Sequence, residues 1–151
     1  MTPLGRLLVG LMLVASAGCS GESLYGSLSD VYRLDHESVR ARLYDSELAI
    51  EYIDARGGVP VRVSLHTREA EPTDGGEYDL MGVGDITGVL SDGTEIPRLV
   101  EGTLRLSDFE NGPGGRVAGD FDARMDAGRD ILGLTGRFDA TLEVVTWPPT
   151  P

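Results

Sequence analysis

Apolar and polar residues alternate with a period of two over most of this chain, and turn-forming residues interrupt the alternation every eight to twelve positions. Val39, Ala41 and Leu43 alternate with Arg40, Arg42 and Tyr44; Asp45 and Ser46 then form a two-residue turn, after which Leu48, Ile50 and Tyr52 alternate with Ala49, Glu51 and Ile53. Pairing Tyr44 with Glu47 predicts Leu43 opposite Leu48 and Arg40 opposite Glu51, so apolar faces coincide and opposite charges meet. A second turn at Gly57 and Gly58, pairing Arg56 with Val59, sets Tyr52 opposite Val63 and Ile50 opposite Leu65.

A polar crossing between Thr67 and Tyr78, with Pro72 and Gly75-Gly76, links two halves of one domain. Beyond it the pattern predicts a strand over 78–90, an Asp92-Gly93 hairpin turn, a strand over 94–106 and a loop at Asn111 to Gly115. The last two strands, 117–126 and 131–145, contain an internal repeat: Gly119-Asp-Phe121-Asp-Ala123 returns as Gly136-Arg-Phe138-Asp-Ala140. With the hairpin turning around Ala127 to Asp130, matching apolar faces put Phe121 opposite Gly136 and Gly119 opposite Phe138. Each ring then covers a strand glycine, and Asp120 faces Arg137. Gly119, Phe121, Gly136 and Phe138 are therefore read as a structural hairpin, in preference to a binding motif.

The composition adds charge and compartment. The 151 residues hold 25 carboxylates against 13 cations, all of them Arg, for a formal net charge of −12. Nucleic acid and anionic lipid surfaces are poor partners for such a chain. A single cysteine, Cys19, excludes an intrachain disulfide.

The first residues depart from the period-two pattern. Arg6 precedes the apolar run Leu7 to Ala15, which is followed by the small residues Ser16, Ala17 and Gly18. A positive start, a short apolar centre and a small-residue exit make a secretory signal too short to span a bilayer. Ser16-Ala17-Gly18-Cys19 resembles the lipobox of bacterial lipoproteins, with Ser16 standing where that family usually has an aliphatic residue. The resemblance implies diacylglyceryl transfer to the Cys19 thiol, cleavage before it and acylation of the new amino terminus, with palmitate-class chains as the anchor. Ser20 after the cysteine fits sorting to the outer membrane. The alternative is an ordinary secretory signal cut after Ala15-Ser16-Ala17, which leaves Cys19 as a free thiol. The G-x-F-x-A strands are similar to those of uncharacterised secreted bacterial β-domains, without defining a family. Removal of 1–18 with Arg6 leaves a mature charge of about −13.

Candidate chemistry is sparse. His36 and His66, the only imidazoles, are read as solvated surface residues, His66 on a polar strand face opposite Ala49. There is no nucleophile elbow, phosphate loop or dinucleotide fingerprint, and no cofactor is expected. Asp120, Asp122 and Asp126 share a strand face, but Arg124 interrupts any calcium-loop pattern; loops at Asp126 to Asp130 or at Asp74 and Glu77 are the remaining candidates for a cation. The tail from Thr146 to Pro151 ends strand pairing, with Trp147 closing one end of the core or serving as part of a polyproline ligand.

The sequence thus predicts a signal over 1–18, a flexible tether over 19–29, an all-β domain over 30–145 and a Pro-rich tail over 146–151. The domain is expected to be a single antiparallel meander of about eight strands, forming a small barrel or a two-sheet sandwich. The function expected is non-catalytic: an outer-membrane lipoprotein of the cell envelope that binds or supports an envelope protein or cell-wall partner. A lipocalin-like carrier of a small apolar ligand is the second reading, and an envelope enzyme or enzyme inhibitor the third.

Overall fold

The computed structural model describes residues 21–146. Cys19, the signal and the tail from Trp147 onward lie outside the described residues. The chain is nearly all β, as the alternation predicts, and its strands are β1 (Ser23–Tyr25), β2 (Ser38–Leu43), β3 (Glu47–Ile53), β4 (Val61–His66), β5 (Glu77–Asp79), β6 (Gly84–Thr87), β7 (Arg98–Phe109), β8 (Arg116–Asp126) and β9 (Ile131–Val144). One helical turn, α1 (Leu80–Val83), separates β5 from β6.

Eight strands form a nearly closed barrel in the order β5-β7-β8-β9-β2-β3-β4-β6, and β1 adds to β9. The chain is therefore not a single antiparallel meander. It is two antiparallel runs, β2-β3-β4-β6 and β5-β7-β8-β9, joined by a parallel contact between Ala41–Leu43 and Leu142–Val144. The antiparallel joints follow the charge and apolar pattern. Leu43 faces Leu48 and Arg40 faces Glu51, with the Tyr44 amide donating to the Glu47 carbonyl at 2.8 Å across the tight turn.

The β3–β4 joint differs from the expected register by two residues: Tyr52 faces Val61, Ile50 faces Val63 and Glu51 faces Arg62. The turn is wider than its two glycines suggest. Asp54 Oδ1 accepts from the amides of both Arg56 and Gly58 at 2.9 Å, and Pro60 has no N–H to offer the ladder. A slip of two keeps every side chain on its intended face. It moves His66 from Ala49 to a position opposite Glu47.

The strand expected over 78–90 is broken. Asp79 caps α1 through the Met81 amide at 3.0 Å, and this single turn carries the chain from β5, at one end of the sheet order, to β6 at the other. Leu80 is thereby fully buried where the two sheet ends approach. The Asp92-Gly93 turn forms, bracketed by the Val89–Glu95 bridge, but β7 starts only at Arg98 because Pro97 cannot donate to a ladder.

The segment expected as a flexible tether over 19–29 is docked on the barrel from Ser23 onward. Ser23–Tyr25 pairs with Arg137–Thr135, and a 3-10 turn at Ser27–Asp30 buries Leu28 completely. Leu24 and Leu28, an apolar pair set among Ser and Gly, account for this docking: burying a leucine stabilises by about 2 kcal/mol, enough to order a short polar segment. The barrel interior is filled by Tyr52, Phe121, Phe138, Met125 and aliphatic side chains from all the long strands.

Candidate functional site

The repeat in the last hairpin folds as its pattern requires. Phe121 faces Gly136, Gly119 faces Phe138 and Asp120 faces Arg137. A side chain at position 136 would collide with the Phe121 ring, and one at 119 with the Arg105 carbonyl. Both rings are buried, so the four residues build the wall of the barrel and offer no aromatic side chain to solvent. Tyr52 completes this arrangement from β3: its ring meets Phe121 edge-on at 6.1 Å and its hydroxyl donates to the Arg137 carbonyl at 2.7 Å. Burial, followed by the charge of Glu22, pushes the Tyr52 hydroxyl well above the ordinary phenol range, so it remains a donor.

His36 is not a solvated surface residue. It is half-buried, and its ring stands edge-on to Tyr52 at 5.0 Å. Glu22 lies close to His36 and Asp139; its carboxyl is raised from 4.5 chiefly by burial. His66 lies 3.7 Å from Glu69 at the surface.

Arginines occupy the acids that the sequence singles out on β8. Arg105 holds Asp120 at 2.9 Å and Asp122 at 2.8 Å, taking the place that the cross-strand pattern assigns to Arg137. Arg116 bridges Asp108 and Asp139, each at 2.8 Å, and holds the Asp139 carboxyl below its ordinary range. Asp126 accepts from the Gly128 amide and from Arg98, both of which lower its pKa. Its place at the proposed calcium loop is thus taken by a turn cap and an ion pair. Among the described residues no group of three or more His, Cys, Asp or Glu side chains could hold a metal ion.

One ion-pair network lies beneath the surface. Glu51 is 5% exposed, with Arg40 at 2.6 Å and Arg62 beside it. Arg62 also reaches Glu47 at 2.9 Å and lies 5.8 Å from the centre of the Tyr44 ring. Its Nε is buried without a hydrogen-bond partner, 3.8 Å from Glu51 Oε1.

A cleft of about 480 Å³ lies at one end of the barrel. Three separate segments build it: 31–35 ahead of β2, the β3–β4 loop at 54–60, and the turn at 90–94. Its apolar lining includes Val31, Pro60 and Leu90, and its charges are Arg33, Arg56, Asp35, Asp54 and Asp92. Tyr32 braces the Pro60 wall. It is buried, it donates to the Pro60 carbonyl at 2.7 Å, and burial and the nearby Asp92 push its pKa up to about 12. Asp92 is held below 3.8 first by the Thr94 amide, which it accepts at 2.9 Å, and in lesser part by Arg33. A pocket of this volume is in the usual range for small ligands, roughly 300 to 1,000 Å³. Sequence reading missed it because its residues look like ordinary turn chemistry when taken one loop at a time. Only the barrel brings the three loops together.

The cleft and the point of chain entry have a fixed relation. β1 runs antiparallel to β9, so Gly21, beside Asp139, lies from Ser23 toward the end bearing the Asp45-Ser46 and Asn111 to Gly115 turns. The cleft opens at the other end. No protein-family model matches the chain, and neither the curated proteins nor the solved structures give a significant match.

Proposed function

We propose that this chain is a cell-envelope lipoprotein, anchored through Cys19, whose barrel binds another envelope component without catalysing a reaction. The leader and its Ser16-Ala17-Gly18-Cys19 exit support the anchor. Acyl chains on one residue, each buried CH2 contributing about 0.8 kcal/mol, would hold the protein at a membrane that its acidic barrel does not favour. The observation that carries the binding reading is the filled interior: Tyr52, Phe121 and Phe138 pack where an apolar cargo would sit, so recognition falls to the outside. The cleft is the best-formed feature there, and it opens at the end opposite chain entry.

Two measurements test this. Cys19→Ala in the full chain should move the protein from the membrane to the soluble fraction, and retention at the membrane would overturn the anchor. The full chain carrying Cys19→Ala, immobilised and exposed to envelope extract, should enrich a component over the bare matrix. The binding reading fails if nothing is enriched.

A further inference from the structure

We infer that the cleft formed by 31–35, 54–60 and 90–94 takes a short zwitterionic ligand: an ammonium and a carboxylate carried on a small apolar body, of dipeptide size. The inference rests on the reading of the barrel as a binding module and is independent of the Cys19 anchor.

Six of the twelve described arginines are held in close ion pairs, and of the other six only Arg33 and Arg56 line the cleft. Arg40, Arg42, Arg62, Arg98, Arg105 and Arg116 each hold a carboxylate at 2.6 to 3.2 Å. At the cleft, Arg33 comes no closer than 3.8 Å to Asp35, and Arg56 makes no ion pair among the described residues. Two guanidinium groups therefore line a concave site with their forks uncommitted, the arrangement that receives a carboxylate. The carboxylates beside them are fixed differently. Asp54 and Asp92 each have Oδ1 turned to loop amides, which holds them in place and leaves Oδ2 for a cationic group. Pro60 and Leu90 add apolar surface to the same lining.

The field of the whole molecule narrows the choice further. A simple anion would have to approach a protein of net charge −12 or below, and a simple cation would leave the arginines unmatched. A zwitterion has no net charge to be repelled, and each of its ends meets an opposite charge. Volume fits as well, since about 480 Å³ accommodates two residues with room for bridging water.

The probe is leucyl-alanine, titrated calorimetrically into the full chain carrying Cys19→Ala, in parallel with its N-acetylated, C-amidated and doubly blocked forms. Free dipeptide should bind, and blocking either end should weaken binding about tenfold, the loss expected for one charge-assisted contact. Arg56→Gln should cost the free dipeptide a similar factor yet leave the C-amidated form almost unaffected. Arg68→Gln, on the loop at the far end of the barrel, should bind like the parent. Equal affinity for free and doubly blocked dipeptide, or no heat with any of them at about 10 mM, overturns the proposal. So does unchanged binding by Arg56→Gln and Arg33→Gln variants whose circular dichroism is unaltered. Because envelope capture is a separate measurement, a component enriched without dipeptide binding would sink this inference alone.

Discussion

A methyl group at Gly136 would meet the edge of the Phe121 ring and the Tyr52 hydroxyl, both held in the packed interior. Overpacking of this kind costs about 1 to 3 kcal/mol. Gly136→Ala should lower the denaturant midpoint accordingly, whereas Gly133→Ala, where the nearest atom is Ser27 Oγ at 3.7 Å, should shift it far less. Tyr52→Phe removes the hydroxyl that donates to the Arg137 carbonyl and should cost about 1 to 2 kcal/mol by the same measurement. Glu51→Gln probes the network on the outer wall. Its carboxylate is almost fully buried, but Arg40 is about one-third exposed, so the loss should fall near 2 kcal/mol, above a surface pair and below a buried one.

At the scale of elements, the segment from Ser23 to Asp30 belongs to the barrel. Leu28→Ala should therefore destabilise the whole domain by about 2 to 5 kcal/mol in equilibrium unfolding, an effect that truncation within a free linker would not produce. Its role was hidden in the sequence by its Ser and Gly content; only Leu24 and Leu28 mark it, and two leucines do not make a period. The hairpins with short turns were legible. β2–β3 and β8–β9 are pinned by matching apolar faces on both sides of a tight connection, so their registers could be read residue by residue. Where side-chain chemistry enlarges a turn, as Asp54 does, alternation fixes the face but not the register. The break at Leu80 was invisible because a strand pattern continues through it, and only the need to connect the two sheet ends makes one helical turn the better solution. The cleft was illegible for a related reason, since alternation says nothing about which loops become neighbours at a barrel mouth.

For the molecule as a whole, charge links stability to acidity. Asp92, Asp126 and Asp139 all have folded pKa values below 3.8, so their contribution is complete above that value and is lost as pH falls through the lowered ones. The thermal midpoint should drop between about pH 4 and pH 2. Glu22 has the opposite sign. Its folded value is raised from 4.5, so its contribution is present below that value and is lost as pH rises through the raised one. Glu22→Gln should accordingly strengthen hydrogen-exchange protection of the β1 amides near pH 7 relative to the parent chain. The parallel contact of Ala41–Leu43 with Leu142–Val144 carries a further consequence, this time for how the chain comes to its final shape. The two antiparallel runs can each zip from their own turns, but the seam joins residues from opposite ends of the sequence and carries the largest loop-closure cost. A chain emerging amino end first therefore carries an open sheet with bare edges until its last strand is free. Loss of the residues around Leu142 would reopen that seam, leaving two exposed edges able to pair with other chains.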